Sequence, residues 1–448
     1  MILPSLVPSR TSGVAPLAVH FDATATTSAT VGIDTFRQVT YAFNFGDDRG
    51  QSWAVSGKPK NSEVGGPIAA HVFDLPGTYT VTLQATDPSG AVAQTSVTIT
   101  VQDPAAFYSG TKTVCVSTTT DFSGCPTGAT QQNSLPTGTG WNGKRVLLKR
   151  GQDFTTLGSI SIQDGNSSVQ VGAFGSGAKP IVHSVGVGDG RPNTASFAND
   201  VSIIDLATRG KMAQGIGHRV LFYRNDLTNP RDSSSGFYFG DEYFTYRDPY
   251  RFVPSSSFYN ARELFYVENT VVGNTSTDYN AFGFGARMAW LGNDFSTTKW
   301  HNLRIIRTYK SVLAHNRLRG ISSTGGYHSL KLHAGGLTAY ADNSLTSGTT
   351  WASRYIVTSS NEFGSATDNN TWTIALCPQN DQSAEGLEDV VAENNRFIRG
   401  SQTSVDLTVT GRRITYRGNT NASQSASVGL NGHGAALPTD WKSPYFSQ

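Results

Sequence analysis

Lys331 and His333 stand two residues apart in Leu330-Lys331-Leu332-His333, and alternation along a strand turns both to one face. Such a pair can neutralise a sugar carboxylate and take the proton beside it, once burial or a nearby cation brings one pKa towards neutrality. Arg287 is the third cation expected with them. A β-elimination on an acidic polysaccharide needs this set. A hydrolase needs two carboxylates about 5 to 9.5 Å apart instead, and Asp241, Glu242 and Asp406 are the acidic candidates. Lys331 and His333 also read as solvated side chains on an exposed sheet, while His20, His71 and His218 read as structural. No His-Glu-x-x-His, phosphate loop or Gly-x-Ser-x-Gly occurs.

The elements that must position these residues show as two registers. In the first, an apolar run ends in asparagine at Asn225, Asn269, Asn316, Asn361, Asn395 and Asn419. An apolar residue follows two places later at Leu227, Val271, Leu318, Phe363 and Phe397, and Asn421 follows the last. This repeat predicts the coils of a parallel β-helix, with Asn at one corner bonding the turn and the next Asn. Six unrelated strands of a sandwich, each ending in an Asn turn, are the alternative. The second register reads Phe237-Tyr238-Phe239, Phe282-Gly283-Phe284, Leu330-Lys331-Leu332, Ile374-Ala375-Leu376 and Val405-Asp406-Leu407, outer members inward. Stacking these coils supplies a core that no single coil can bury. The outward column is then Tyr238, Gly283, Lys331, Ala375 and Asp406, and the next is Gly240, Gly285, His333, Cys377 and Thr408. At about 4.8 Å per coil, Asp406 is expected about 10 Å from Lys331.

Aromatics crowd residues 237–259, interleaved with Asp241, Glu242, Arg247, Asp248 and Arg251. The stretch is too long for one coil, so 241–260 is expected to leave the helix and wall a cleft. Tyr238, Glu242, Tyr243, Tyr246 and Asp406 are the expected substrate contacts. A loop packed by its own aromatics, or an oligomer contact, is the other reading.

Residues 1–103 read as an independent immunoglobulin-like β-sandwich, with strand-like runs at Leu17–Asp22, Val39–Phe45, Gly77–Leu83 and Val97–Val101. The runs Gly13-Val14-Ala15-Pro16-Leu17, Tyr41-Ala42-Phe43-Asn44-Phe45-Gly46-Asp47-Asp48 and His71-Val72-Phe73-Asp74-Leu75-Pro76-Gly77-Thr78-Tyr79 resemble the PKD domain. Phe43 stands where that family usually has Trp. The resemblance implies a spacer or contact module without catalysis. Asp47 and Asp48 are expected to cap a turn rather than hold calcium, and the insertion Gly50 to Gly66, with Trp53, reads as a mobile surface loop.

Asp103-Pro104 marks the boundary to a second unit, 104–448, with opening coils over 104–184 and a C-terminal cap over 424–448. Gly143–Phe154 and Val169–Val182 resemble the opening coils of right-handed parallel β-helices of the pectate-lyase-like superfamily. That resemblance is good over 111–184, pattern-level to about 423, and implies a fold rather than an activity. The expected architecture is all-β: an immunoglobulin-like sandwich followed by a right-handed parallel β-helix.

Charged residues make up 15%, well under the usual quarter, and the net charge is +2. Neither nucleic acid nor insertion into a membrane is expected, since there is no basic tract and no apolar run near 18 residues. No signal peptide is visible after Met1, which fits a removed leader or release by lysis, as for a phage particle. Cys115 and Cys125 read equally as a bridge or two thiols, and Cys377 as a thiol without a role. No cofactor is expected; calcium stays open, although no dense Asp cluster calls for it. The expected function is an extracellular or virion surface protein (decoration, fibre or spike) meeting polysaccharide, cell-surface glycan or neighbouring subunits, with homo-oligomers open. The alternatives are a polysaccharide lyase or hydrolase, and a subunit of an extracellular filament.

Overall fold

A computed structural model describes residues 1–188, 197–215, 217–228, 235–239, 262–323, 327–333, 351–369, 372–376, 385–400, 405–409, 412–421 and 424–430. The expected excursion 241–260 and most of the C-terminal cap lie outside these residues.

The first unit is a sandwich. One sheet orders Ser12–Val14, Val92–Gln102, Gly77–Thr86, Thr40–Asn44 and Ser62–Gly65; the other orders Val7–Pro8, Leu17–Asp22 and Ile68–Phe73. Phe21, Tyr41, Phe43, Phe45 and Phe73 fill the space between them, each at most 1% exposed. Asp47 neither caps a turn nor faces water. It is buried, with Arg49 Nη2 at 2.5 Å and His71 Nε2 at 3.0 Å.

The second unit is a parallel β-helix, because strands tens of residues apart pair parallel and in register. One coil consists of Arg262–Val267 on a first face, Thr270–Val272 on a second, and the start of Tyr279–Leu291 on a third. Val220 pairs with Leu264 and Leu264 with Met288, and the same row continues through Ser311, Ile356, Val390 and Ile414. Thr113–Val116 opens the stack against Arg145–Lys149. Inward residues of all three faces merge into one apolar column, including Val220, Leu264, Met288, Phe295, Leu318 and Ile374.

The asparagine corner holds as expected and contains one more rung, Asn293. Each Asn Oδ1 accepts both the backbone N–H and the amide of the Asn before it: Asn269 to Asn293 at 3.0 and 3.1 Å, Asn293 to Asn316 at 3.0 and 2.8 Å. The same pattern runs from Asn225 to Asn419. Buried amides are tolerated here because every ladder amide also donates to a strand carbonyl, as Asn293 does to Tyr266 at 2.8 Å.

The second register needs three corrections. Ala281, not Phe282, is the inward partner of Phe237, so Phe282 occupies the outward column that Gly283 was expected to hold. The run Ala281-Phe282-Gly283-Phe284 fits either alternation, and a one-residue slip reverses every side chain. Ile374 pairs with Leu407, which puts Thr408 rather than Asp406 in that column. A further rung, Leu303-Arg304-Ile305, pairs directly with Leu330-Lys331-Leu332.

The two units share an apolar seam. Ala18, Ile68, Ala70 and Val72 of the sandwich pack on Leu221, Phe265, Ala289, Leu291, Val312 and Val357, the outward side of the first face. The 50–66 insertion is not a free loop: Trp53 is 6% exposed and lies against Gly292 and His315 of the helix. Cys115 and Cys125 form a disulfide beside Leu147 and Phe174 at the opening end. Among the described residues no helix is long and apolar enough to cross a membrane.

Candidate functional site

Two of the three faces are already engaged. The first lies under the sandwich. The second carries a charge ladder in which each arginine meets a carboxylate: Arg319 to Asp294 at 2.8 Å, Arg317 to Glu362 at 2.7 Å and Arg396 to Glu362 at 2.7 Å. Among the described residues, neither the sandwich nor this ladder lies over the third face and its corner with the second.

The outward column of the third face runs Gly186, Ala213, Tyr238, Phe282, Arg304, Lys331, Ala375, Thr408 and Gly429, each pair hydrogen-bonded in register. Lys331 therefore sits between Arg304 and Ala375, not between two small residues. It is 8% exposed. Arg304 lies 5.5 Å from the ring centres of both Tyr279 and Phe282, and its Nη1 donates to the Tyr279 hydroxyl at 2.8 Å.

Beside this column, turns stack on turns. The N–H groups of Lys299, Trp300 and His301 donate to carbonyls of Thr277 and Asp278 one coil below. That stacking brings partly exposed rings into a row. Trp300 and Tyr327 are 5.6 Å apart with planes 7° from parallel, and Tyr279 meets Trp300 edge-on at 5.8 Å. Lys299 Nζ lies 4.5 Å over Trp300 and 3.6 Å from Asp278. Behind them the buried His301 stacks on Tyr279 at 5.7 Å and on His328 at 5.3 Å. His301 Nδ1 accepts the His328 N–H at 2.9 Å, which fixes its ring. Rings edged by cations and one carboxylate offer apolar area for the C–H face of a sugar and donors for its hydroxyl or carboxylate oxygens.

The expected site residues part company. Lys331 belongs to this face. His333 ends its strand opposite Ile306, with its side chain outside the described atoms, and the same holds for the Tyr238 side chain. Glu242, Tyr243 and Tyr246 lie outside the described residues, as does Asp241. Arg287 does not join Lys331. It stands at the corner between third and first faces, in a column of residues with left-handed φ that includes Asp200, Arg219, Glu263 and Lys310, and pairs with Glu263 at 3.1 Å. Asp406 does not face a groove. It is fully buried, bound by Arg399 at 2.9 and 3.0 Å and by the Ser427 N–H at 2.7 Å. It closes a second internal corner formed by Asn280, Asn302, Ser329 and Thr373 in the coils below. The residues that the sequence reading missed are Tyr279, Trp300, Tyr327 and Arg304. Their signal was present: Gly292-Asn293-Asp294-Phe295 repeats the corner pattern, and the coil it opens contains Trp300 and Arg304.

Residues 5–102 match the family model of the PKD domain. No curated protein matches the chain in sequence. Among solved structures, the chain is similar to a Family 28 exopolygalacturonase of Yersinia enterocolitica at TM-score 0.30 and 10% identity, over 99% of this chain and 98% of that one. A likeness at that level transfers no activity.

Proposed function

We propose that this β-helix holds a glycan along its third face, over Tyr279, Trp300 and Tyr327, with Lys299, Arg304 and Lys331 beside the chain. The supporting observation is the parallel, partly exposed Trp300–Tyr327 pair on the face that neither the sandwich nor the charge ladder occupies. Lys299 over Trp300 and Arg304 beside Tyr279 place donors next to the rings, where the hydroxyl or carboxylate oxygens of an acidic polymer would lie. Affinity electrophoresis in gels containing acidic or neutral polysaccharides tests this. Retardation by an acidic polymer, reduced about tenfold or more in Trp300→Ala/Tyr327→Ala, is expected from loss of aromatic anchors; equal retardation of both proteins overturns the reading.

A second reading, a polysaccharide lyase, is favoured by one observation: Arg304 and Lys331 occupy adjacent rungs, about 4.8 Å apart. A base for the proton and a second cation for the sugar carboxylate are the two groups that a β-elimination needs. An unsaturated product, detected by its ultraviolet absorbance and lost in Lys331→Ala, would establish catalysis; its absence across a panel of uronate polymers leaves binding alone.

We place the protein outside the cell or on a virion surface as decoration, fibre or spike. The Cys115–Cys125 bridge supports an oxidising setting. Mass spectrometry of purified particles against the secreted fraction tests the two locations.

A further inference from the structure

A cleft of about 170 Å³ opens at the seam between sandwich and helix, far in sequence from the third face. Its polar wall includes Arg10, Ser12, Asp200, Ser202 and Arg219, and Leu221 and Phe265 lie on its apolar side. The volume equals roughly five or six waters, room for one compact organic acid or a single sugar ring.

The charges at this seam do not balance. Asp200 Oδ1 accepts from Arg10 Nη2 at 2.6 Å and from Arg219 Nε at 2.9 Å, and its Oδ2 accepts from Arg219 Nη2 at 2.9 Å. The next carboxylate along the column, Glu263, is engaged by Arg287 at 3.1 Å. Asp200 and Glu263 match Arg219 and Arg287 within the column, and Lys310 is matched by Asp22 of the sandwich, so among the described residues Arg10, brought by the sandwich, is one cation in excess at this cleft. Its Nε is buried without a hydrogen-bond partner. The hydroxyls of Ser12 and Ser202 have no partner among the described residues and line the same space. A half-enclosed cleft with one surplus positive charge focuses its field on a single negative one.

We propose that this cleft binds a small monoanionic carboxylate, held by Arg10 and the hydroxyls of Ser12 and Ser202. Burial and the neighbouring Arg219 both lower the Arg10 pKa, so a bound anion relieves a cation that the fold has partly desolvated. A carboxylate here bridges both units and strengthens their docking.

Calorimetric titration of the full chain with glucuronate, acetate and glucose tests it. Saturable binding of glucuronate, acetate or both, none of glucose, and a loss of about tenfold or more in Arg10→Gln and in Ser202→Leu are expected, the loss of one charge-assisted hydrogen bond. Ser202→Leu fills the cleft while keeping every ion pair, so it answers if Arg10→Gln weakens docking. Preference for glucuronate over acetate identifies a sugar acid; equal binding identifies a simple carboxylic acid. No saturable binding of either, or binding that survives both seam variants but is lost in Trp300→Ala, overturns the proposal without touching the glycan face.

Discussion

The indole of Trp53 lies flat on the imidazole of His315, ring centres 4.9 Å apart and planes 11° from parallel. The two residues belong to different units, and each is held from its own side. His315 Nε2 meets Glu63 at 2.6 Å and its Nδ1 meets Ser56 Oγ at 2.8 Å, both from the insertion that carries Trp53. The same insertion bonds rungs above and below: Lys60 to Glu268, Lys58 Nζ to Ser360 Oγ at 2.7 Å, and the Gly66 N–H to Glu393 at 2.8 Å. Glu268, Gly292, His315 and Ser360 all precede a ladder asparagine and all adopt left-handed φ, which turns them outward at one corner. The insertion therefore reads that corner coil by coil.

Removing the ring should loosen the whole seam. Trp53→Ala is expected to cost about 3–5 kcal/mol, the range for a buried large aromatic, and to split a single melting transition into two. Gly292→Ala tests the same contact from the other side, because a Cβ there would lie 2.6 Å from the Trp53 ring at a φ of +65°. Scanning calorimetry reads both, and an unchanged single transition in either variant would show that the clasp contributes nothing.

How much of this was legible in sequence follows from what each signal depends on. The asparagine corner was readable because one residue type recurs where side chain and backbone must both be satisfied. Asn293 was passed over although Gly292 precedes it just as Gly418 precedes Asn419; what the sequence could not show is that a Cβ at Gly292 would meet Trp53 from a distant part of the chain. The third face was harder. Ala281-Phe282-Gly283-Phe284 fits two alternations, and Val405-Asp406-Leu407-Thr408-Val409 fits two triplets. Only pairing with neighbouring coils decides between them, and that is long-range information. Lys331 was placed on the right strand, while its neighbour Arg304 was invisible once its coil had been skipped.

Acid should weaken the seam through His20. Burial, followed by Arg287 and Lys310, lowers its pKa from 6.5 to about 4, against the opposing pull of Asp22 and of the Lys310 carbonyl that its Nε2 meets at 2.8 Å. The unfolded chain then binds a proton between pH 6.5 and 4 that the folded chain refuses. Stability from this group is complete above pH 6.5 and falls by about 3 kcal/mol as pH drops to 4. Burial raises the Glu393 pKa, which acts in the opposite sense. Denaturant melts of wild type and His20→Gln across this window separate the two: the variant should lose most of the decline, and an identical slope would contradict the assignment.

The asparagine ladder should be costly to interrupt. Asn316 accepts the N–H and amide of Asn293 at 3.0 and 2.8 Å and donates to Asn361 at 2.9 Å. Asn316→Ala leaves those groups buried and unmatched, at about 2–4 kcal/mol. Asn394→Ala, at an exposed left-handed residue next to the ladder, should cost no more than about 1–2 kcal/mol. Urea titration of both gives the comparison, and similar losses would mean that the ladder is decoration rather than scaffold.

Lys331 and Asp406 were expected in one outward column about 10 Å apart, but Asp406 is enclosed instead, so paired variants should diverge. Asp406 is enclosed by Arg399, Asn421 and Ser427. Asp406→Asn breaks a buried ion pair and should lower stability by about 3 kcal/mol, with glycan affinity unchanged at temperatures where the protein stays folded. Lys331 lies beside Arg304 on the proposed glycan face. Lys331 is 8% exposed, so Lys331→Ala should lower the melting temperature as well, and at temperatures where the variant stays folded it should weaken an acidic polymer several-fold and flatten the salt dependence of binding. A neutral polymer should not distinguish Lys331→Ala from wild type. If Asp406→Asn loses affinity while fully folded, the buried corner is part of the binding surface and the third face has been drawn one strand too narrow.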